Sequence, residues 1–385
     1  MSKHDFTPEE FASRLARTRQ AIGAAGLDWL LVIHPVSMRW VIGQDTKSYT
    51  IFQCLAVPAK PIPPVLFTRG TDRNEYAAET LAEDIVTYGG GEPADPIEHF
   101  SKFAAARGLT TSRVGMEVPG FYLHPHHYVA VKKILGDALV AEPNGLIAVM
   151  RAVKSPAEIA HIRKAATLSA NAWGALLAAV KEGCTELELA GTAYASLLAN
   201  GSGIPHSTMN LMTGPRSAFA LGGPTERRHH RGETGLVEIG GNYRRYTSTL
   251  GRQWSFGPPS PRLAELYSIV RNSADACIAK LRAGAPAVDG HEAAKQVIAA
   301  AGLDAYRMHT TGYGMAPGFP PSWGESPNIF GGSKDVLQAG MVVSVEPNIF
   351  VAEEGLGVRI IDNLLITETG SELLSTSPRD LAVIE

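Results

Sequence analysis

The sequence predicts an α/β protein of two domains in series, residues 1–150 and 151–385, the second assembled from two similar halves. Three observations carry that expectation. Strand and helix candidates alternate to about residue 145, the pattern of an α/β layer domain. A capping box, Ser155-Pro156-Ala157-Glu158, then opens a long helix, so the boundary falls just before it, near residue 150. Beyond it, the stretch Gly183 to Gly201 parallels Gly284 to Gly302. Each pair of glycines is 18 residues apart, with a helical segment before it and a strand candidate after it. Two such halves would pack about a pseudo-twofold axis and leave a cleft between them. Chance likeness of alanine-rich helices is the alternative. At 385 residues the chain is long enough for two domains.

The elements follow in order. Thr7-Pro8-Glu9-Glu10 starts the first helix, with Thr7 as cap, Pro8 in the first helical position and Glu10 placed to close a capping box. Leu27 to Ile33 is a buried-strand run, and Pro64–Phe67 and Arg113–Glu117 are further strands. The helix after Ser155 carries Ile159, Ile162, Ala165, Ala166 and Leu168 on one side. Two later strands, Gly235–Gly241 and Val342–Glu346, are mainly apolar and carry one acid each, Glu238 and Glu346.

Composition narrows the function classes. The chain is 45% apolar and 19% charged with a formal net charge of −3, so no basic excess points to nucleic acid. The longest apolar runs, such as Trp29 to Ile33, are far short of a membrane span. The residues from Met1 to Glu10 are polar and lack a signal-peptide core, and the expectation is a cytoplasmic protein. Cys54, Cys184 and Cys277 are scattered and odd in number, which favours reduced, buried thiols over a disulfide or metal framework. His124-Pro125-His126-His127 and His229-His230 are adjacent imidazoles that do not converge readily on one ion. Gly89–Gly91 and Gly331-Gly332 lack a phosphate-loop Lys-Ser/Thr and read as turns.

A lone carboxylate in an apolar strand is costly unless it is paired, hydrogen-bonded or used. Glu238 and Glu346 are therefore the first candidates for chemistry, with Arg244 or Arg245 as the structural alternative for satisfying Glu238. Three segments around them, Leu236–Gly240, Thr311–Gly314 and Met341–Pro347 with Gly357–Asp362 behind, resemble the pita-bread family of methionine aminopeptidase, prolidase, aminopeptidase P and creatinase. The resemblance implies a creatinase-like N-terminal α/β domain before a pita-bread α+β domain with an internal pseudo-twofold. In metal-binding members of that family, two Asp, one His and two Glu hold two metal ions. Here the corresponding positions are Glu238, Thr249, Tyr313 (or Met315 when aligned through the glycines), Glu346 and Ile361. Two carboxylates remain of five ligands, and hard divalent ions need several oxygen donors with imidazole as the usual fixer. The expectation is a scaffold without metal or other cofactor.

Creatinase itself is not matched, because its catalytic His falls on Leu221 and one of its substrate-binding Glu residues on Gly251. The ectoine hydrolases are similar at Glu238–Tyr246, at Gly312-Tyr313 followed by Phe319-Pro320-Pro321-Ser322-Trp323-Gly324-Glu325, and at Gln44–Tyr49. That resemblance implies covalent attack by Glu238 on a cyclic amidine, with Glu346 and Tyr313 in the catalytic set. It also implies Trp323, Glu325, Asp45 and Tyr49 around the substrate. His309 stands at the position of a substrate-contacting His in metallopeptidase relatives, and Arg252 and Arg359 occupy framework positions beside the site, all three as further candidates for substrate contact. Each of these has a structural alternative. Tyr313 and Trp323 would pack, His309 would be a lone structural imidazole, and Arg252 and Arg359 would pair with buried acids such as Asp362. The leading expectation is a metal-independent hydrolase of a C–N bond in a small cationic or zwitterionic metabolite, ectoine first. A divergent Xaa-Pro-type metallopeptidase and an inactive binding scaffold are the alternatives. The partner is a small molecule, without nucleic acid or membrane. The family relationship further implies a homodimer in which Trp40, Asp45 or Tyr49 reaches the other subunit's cleft.

Overall fold

The computed structural model describes residues 3–385, which form two compact units divided between Arg151 and Ala152. In the first unit, the described residues form a six-stranded mixed sheet. Its order is Asp84–Tyr88, Val65–Arg69, Cys54–Pro58, Trp29–Val32, Val114–Met116 and Leu139–Ala141. The strand runs named from sequence fall on three of these. The opening helix is Pro8–Ala24, with the Thr7 hydroxyl accepting the Glu10 N–H at 3.3 Å. The Glu10 carboxylate takes up Arg14 at 2.6 Å. The sheet buries one cluster around Leu31, Phe67 and Phe100 and another around Leu30, Val57 and Trp40.

Trp40 corrects one expectation. Its ring is only 2% exposed, with Arg14 and Arg17 guanidinium groups lying over it, so it belongs to this unit's core and is not displayed for a partner.

The second unit is built on the repeat. The capping box at Ser155 opens the helix Pro156–Ala179, which is followed by Glu186–Ala199; the matching pair is Pro261–Ile278 and Ala287–Ala300. The repeat glycines serve as turn residues. Gly183 and Gly284 have φ of 74° and 79°, and Gly201 and Gly302 have 88° and 73°, values that side chains with a Cβ rarely adopt. Even the short bridges recur: Thr185 pairs Arg228 where Pro286 pairs Val336. Among the described residues the strands form a nine-stranded sheet, antiparallel except where Ala382–Ile384 joins Tyr246–Phe256, and a separate antiparallel pair, Asn348–Val351 with Leu356–Arg359.

Packing holds the long strands rigidly. Trp254, fully buried, packs at a tilt against Trp173, and its indole N–H donates to His229 Nε2 at 3.0 Å. Truncating such a side chain to alanine costs about 3–5 kcal/mol. His229 is thereby committed to the core. The three cysteines are free and buried. Among the described residues no helix is long and apolar enough to cross a membrane.

Candidate active site

Glu238 lies midway along the strand Thr234–Tyr243, opposite Asn210 on one side and Gly251 on the other. Both neighbours matter. Asn210 Nδ2 donates to Glu238 Oε2 at 2.8 Å. Gly251 lets Ile361 approach, since a Cβ there would lie 2.5 Å from the isoleucine side chain. The strand Leu356–Arg359 ends next to this point, and Arg359 Nη1 donates to the same Oε2 at 2.8 Å. Both bonds fall on one oxygen, and Glu238 lines a cavity of about 490 Å³.

Glu346 follows the strand Val342–Val345 and lines the same cavity. Its backbone N–H donates to the Thr311 carbonyl at 2.7 Å, which ties it to the segment leading into Tyr313. The Ser344 hydroxyl donates to Oε1 at 2.7 Å, and His309 Nδ1 stands 3.5 Å from Oε2. Burial pushes the Glu346 carboxyl above the usual carboxylate range, and the Glu238 charge pushes it further. Arg359, His309 and the Ser344 bond oppose the shift. Two carboxylates thus meet one cavity in different surroundings, one bound to a guanidinium and one with a raised hold on its proton.

Tyr313 and Trp323 form the wall between. The Trp323 indole N–H donates to the Tyr313 hydroxyl at 3.2 Å. Burial, with the Glu346 and Glu238 charges behind it, holds the phenol well above its ordinary pKa, so it stays a neutral hydroxyl. The Trp323 ring rests on Gly240, where a Cβ would come within 2.8 Å of it. On the same hairpin the Glu325 carboxylate pairs with Lys154, and both side chains are buried. Ser207, Ser322, Ser326 and Asn328 complete the polar lining, and Leu221 the apolar part.

The structure thus brings together Glu238, Glu346, Tyr313, His309, Trp323 and Glu325. Other expectations change. Arg244 and Arg245 do not satisfy Glu238: they make the positive-φ turn after its strand, and Arg245 lies over Phe319 at 4.3 Å. Arg359 takes Glu238 and not Asp362. Arg252 is corrected from a substrate residue to a structural one. Its guanidinium is spent on Asp362 at 2.7 Å and on the carbonyls of Gly251, Ile361, Ser377 and Pro378, away from the cavity. Glu325 lines the cavity, but with its charge already matched by Lys154. Met315 is buried in the core, whereas Tyr313 lines the cavity. In the first unit Asp45 lies 3.7 Å from Arg39, and Tyr49 packs edge-on to Tyr122.

Three contributors had not been singled out. Ser344 carried a signal, since residues two apart in an extended strand share a face with Glu346. Asn210 and Lys154 carried none, because only the long-range pairing brings them in.

Residues 160–368, more than half of the chain, match metallopeptidase family M24, and residues 14–153 match the creatinase/prolidase N-terminal domain. The chain belongs to the M24 family. It is therefore a hydrolase by family, with a fold like that of solved M24 enzymes. The crystal structure of dipeptidase PepE from Mycobacterium ulcerans superposes with a TM-score of 0.85 at 27% identity, covering 98% of this chain and 99% of that one. The ectoine hydrolase of Halomonas elongata is 27% identical over 396 residues, covering 98% of each chain. The probable dipeptidase PepE of Mycobacterium tuberculosis is 28% identical over 393 residues, covering 100% of this chain and 99% of its own.

The M24 name implies metal, and the donor set here can be tested against it. Thr249 is buried with its hydroxyl accepting from Asn363 at 2.9 Å, Ile361 offers a hydrocarbon, and Tyr313 offers a neutral phenol. Glu238 Oε2 already holds a guanidinium. Among the described residues no group of three or more His, Cys, Asp or Glu could hold a metal ion. These residues do not fit a pair of divalent ions.

Proposed function

We propose that this M24 protein is a metal-independent hydrolase of a C–N bond in a small cationic or zwitterionic amidine-like metabolite, with ectoine the first compound to try. One observation carries the reading: Glu238 lines the cavity with Oε2 held by Arg359 and Asn210. A fixed guanidinium balances the carboxylate's charge and orients it, and its other oxygen is the nucleophile. Oε1 adds to the amidinium carbon, forming a C–O bond as the C=N π pair moves to nitrogen. Glu346, whose raised pKa suits it to carry a proton, protonates the departing ring nitrogen as that C–N bond breaks. Water then adds to the imidate carbon and gives one proton to Glu346; the Glu238 carboxylate leaves as the new hydroxyl becomes the amide C=O, its proton passing to the freed amine. The product is the ring-opened N-acyl amine, and both acids return to their starting states. Tyr313, a neutral donor beside Glu346, orients that acid.

A second reading, a peptidase, is supported by relatives named dipeptidase, including the PepE proteins. The donor set argues against it. Turnover of ectoine by protein stripped with a chelator and checked by bulk metal analysis would support the first reading. Peptide cleavage restored by one divalent ion, without ectoine turnover, would establish the second.

We also propose a cytoplasmic homodimer in which each N-terminal domain caps the other subunit's cavity, Asp45 or Tyr49 being the residues to reach it. Full activity from a particle that solution scattering finds monomeric at micromolar concentration would rule this out.

A further inference from the structure

We infer that Asn210 is a specificity residue: its amide N–H holds Glu238 while its carbonyl oxygen accepts the N–H of the ring nitrogen that stays on the product. The inference rests on the reading of the cavity as an amidine-hydrolase site and deepens it. Asn210 opens the strand Asn210–Thr213 and stands directly opposite Glu238 in the sheet. Its Nδ2 donates to Glu238 Oε2 at 2.8 Å, the oxygen that Arg359 Nη1 also holds. A carboxylate oxygen accepts, so this bond fixes which way round the amide sits. Asn210 lines the cavity, and among the described residues no donor bonds to its Oδ1. That oxygen is an unspent acceptor next to the nucleophile.

The two sides of the cavity therefore differ in what they can do to a ring nitrogen. Groups that can carry a proton gather around Glu346: its own carboxyl, His309 at 3.5 Å, and the neutral Tyr313 hydroxyl. Arg359 offers the cavity nothing more, since its Nε and Nη2 are buried in the wall and it is not among the lining residues. Beside Glu238 stands a carbonyl oxygen, which takes an N–H and cannot deliver a proton. An amidinium carbon carries two nitrogens, and cleavage treats them unequally. The one that leaves needs a proton, whereas the one that stays keeps its hydrogen and uses its lone pair to form the imidate C=N. Asn210 holds the second nitrogen while the Glu346 side expels the first, and this decides which C–N bond breaks.

The test uses full-length protein and two ligands of equal charge: ectoine, and ectoine methylated on both ring nitrogens, which has no ring N–H. Titration calorimetry on Glu238→Gln protein, where the ligand is not consumed, sets ligand against residue 210 in a cycle. Asn210→Ala should weaken ectoine about tenfold or more, the worth of a hydrogen bond from a charged donor, and the methylated ring less than about threefold. Asn210→Asp should recover most of the loss, because a carboxyl still presents an oxygen. Equal weakening of both ligands, or no binding of ectoine at all, would overturn the inference.

The product gives a second readout. With Glu238 intact, the ring should open at one nitrogen and yield a single N-acyl isomer by NMR. Asn210→Ala should be slower and should release the other isomer as more than about a tenth of the product, since about tenfold of discrimination is lost with the bond. A slower variant that still makes one isomer would show that Asn210 only supports the nucleophile, and would overturn the inference as well. If the binding cycle shows the coupling but wild-type protein makes no product, recognition by Asn210 stands and the proposed reaction falls.

Discussion

Two buried ion pairs in the second unit have nearly the same geometry and opposite surroundings. Arg252 meets Asp362 at 2.7 Å with both side chains 1% exposed, and Arg359 meets Glu238 at 2.8 Å with 1% and 7% exposed. The difference lies in the remaining hydrogen-bonding groups. Arg252 gives its other N–H groups to four backbone carbonyls, and Asp362 takes Arg379 on its second oxygen. Arg359 leaves Nε and Nη2 without hydrogen-bond partners among the described residues, and Glu238 opens onto the cavity. A fully satisfied pair serves cohesion. A pair left incomplete at a cavity carries a cost to stability, which a fold retains for function.

The sharpest way to break this comparison is Glu238→Gln. The amide keeps the shape and can still accept from Arg359 and Asn210, so melting behaviour should change little. Turnover should fall by about a thousandfold or more, because an amide oxygen is a poor nucleophile. With slow substrates, acid-quenched wild-type protein should show a mass adduct on the peptide containing Glu238. A variant retaining more than about a tenth of the rate would be only about 1.4 kcal/mol worse in the transition state. That is too little for a lost nucleophile, and covalent attack by Glu238 would have to be given up.

The next test sets the two arginines against each other. Arg252→Met leaves the buried Asp362 with Arg379 alone and unfastens four carbonyls, and should cost about 3–5 kcal/mol in chemical denaturation. The surviving folded fraction should keep a near-normal kcat. Arg359→Met should behave in the reverse way. Glu238 keeps Asn210 and some access to the cavity, so the stability loss should be smaller, while kcat should drop by about a hundredfold as the nucleophile loses its counter-ion. If both variants lose stability equally and keep activity, the distinction drawn between the pairs is wrong.

The same contrast explains what was legible before the structure. Ser155 and Thr7 announce helices because a cap bonds a residue three positions away, and the repeat glycines announce turns because their φ is a local demand. Glu238 and Glu346 stood out because an acid in an apolar strand has to be accounted for. Partners could not be read in the same way. Arg359 and Glu238 are 121 positions apart, and Asn210 is brought to Glu238 by sheet register alone. Arg252 and Arg359 each pair with a buried acid as expected, and packing decides which: Arg252 takes Asp362 and Arg359 takes Glu238. Family resemblance pointed to the cavity, and only packing shows which of its charges are already cancelled.

The smallest expected effect is a gain in stability, from Glu346→Gln. Burial first, and the Glu238 charge second, raise the Glu346 pKa above its ordinary value of 4.5. The sign follows from linkage. At pH values below that ordinary value, folded and unfolded chains both hold the proton, and the group's favourable contribution is fully present. As pH rises past it, the unfolded chain releases the proton while the folded chain retains it. Stability contributed by Glu346 therefore falls until pH has passed its raised folded value. Glutamine does not titrate, so the variant escapes this loss while its amide oxygen can still accept from Ser344. Scans from about pH 4 to about pH 8 should find variant and wild type close at the acid end. The variant should pull ahead toward neutrality by an amount on the order of 1 kcal/mol, a common size for relief at a functional site. Its turnover should be lower throughout, because the proton carrier is gone. A stability difference that does not grow with pH would mean that Glu346 is comfortable as an anion in the folded protein, and its role as the acid would then lose its physical basis.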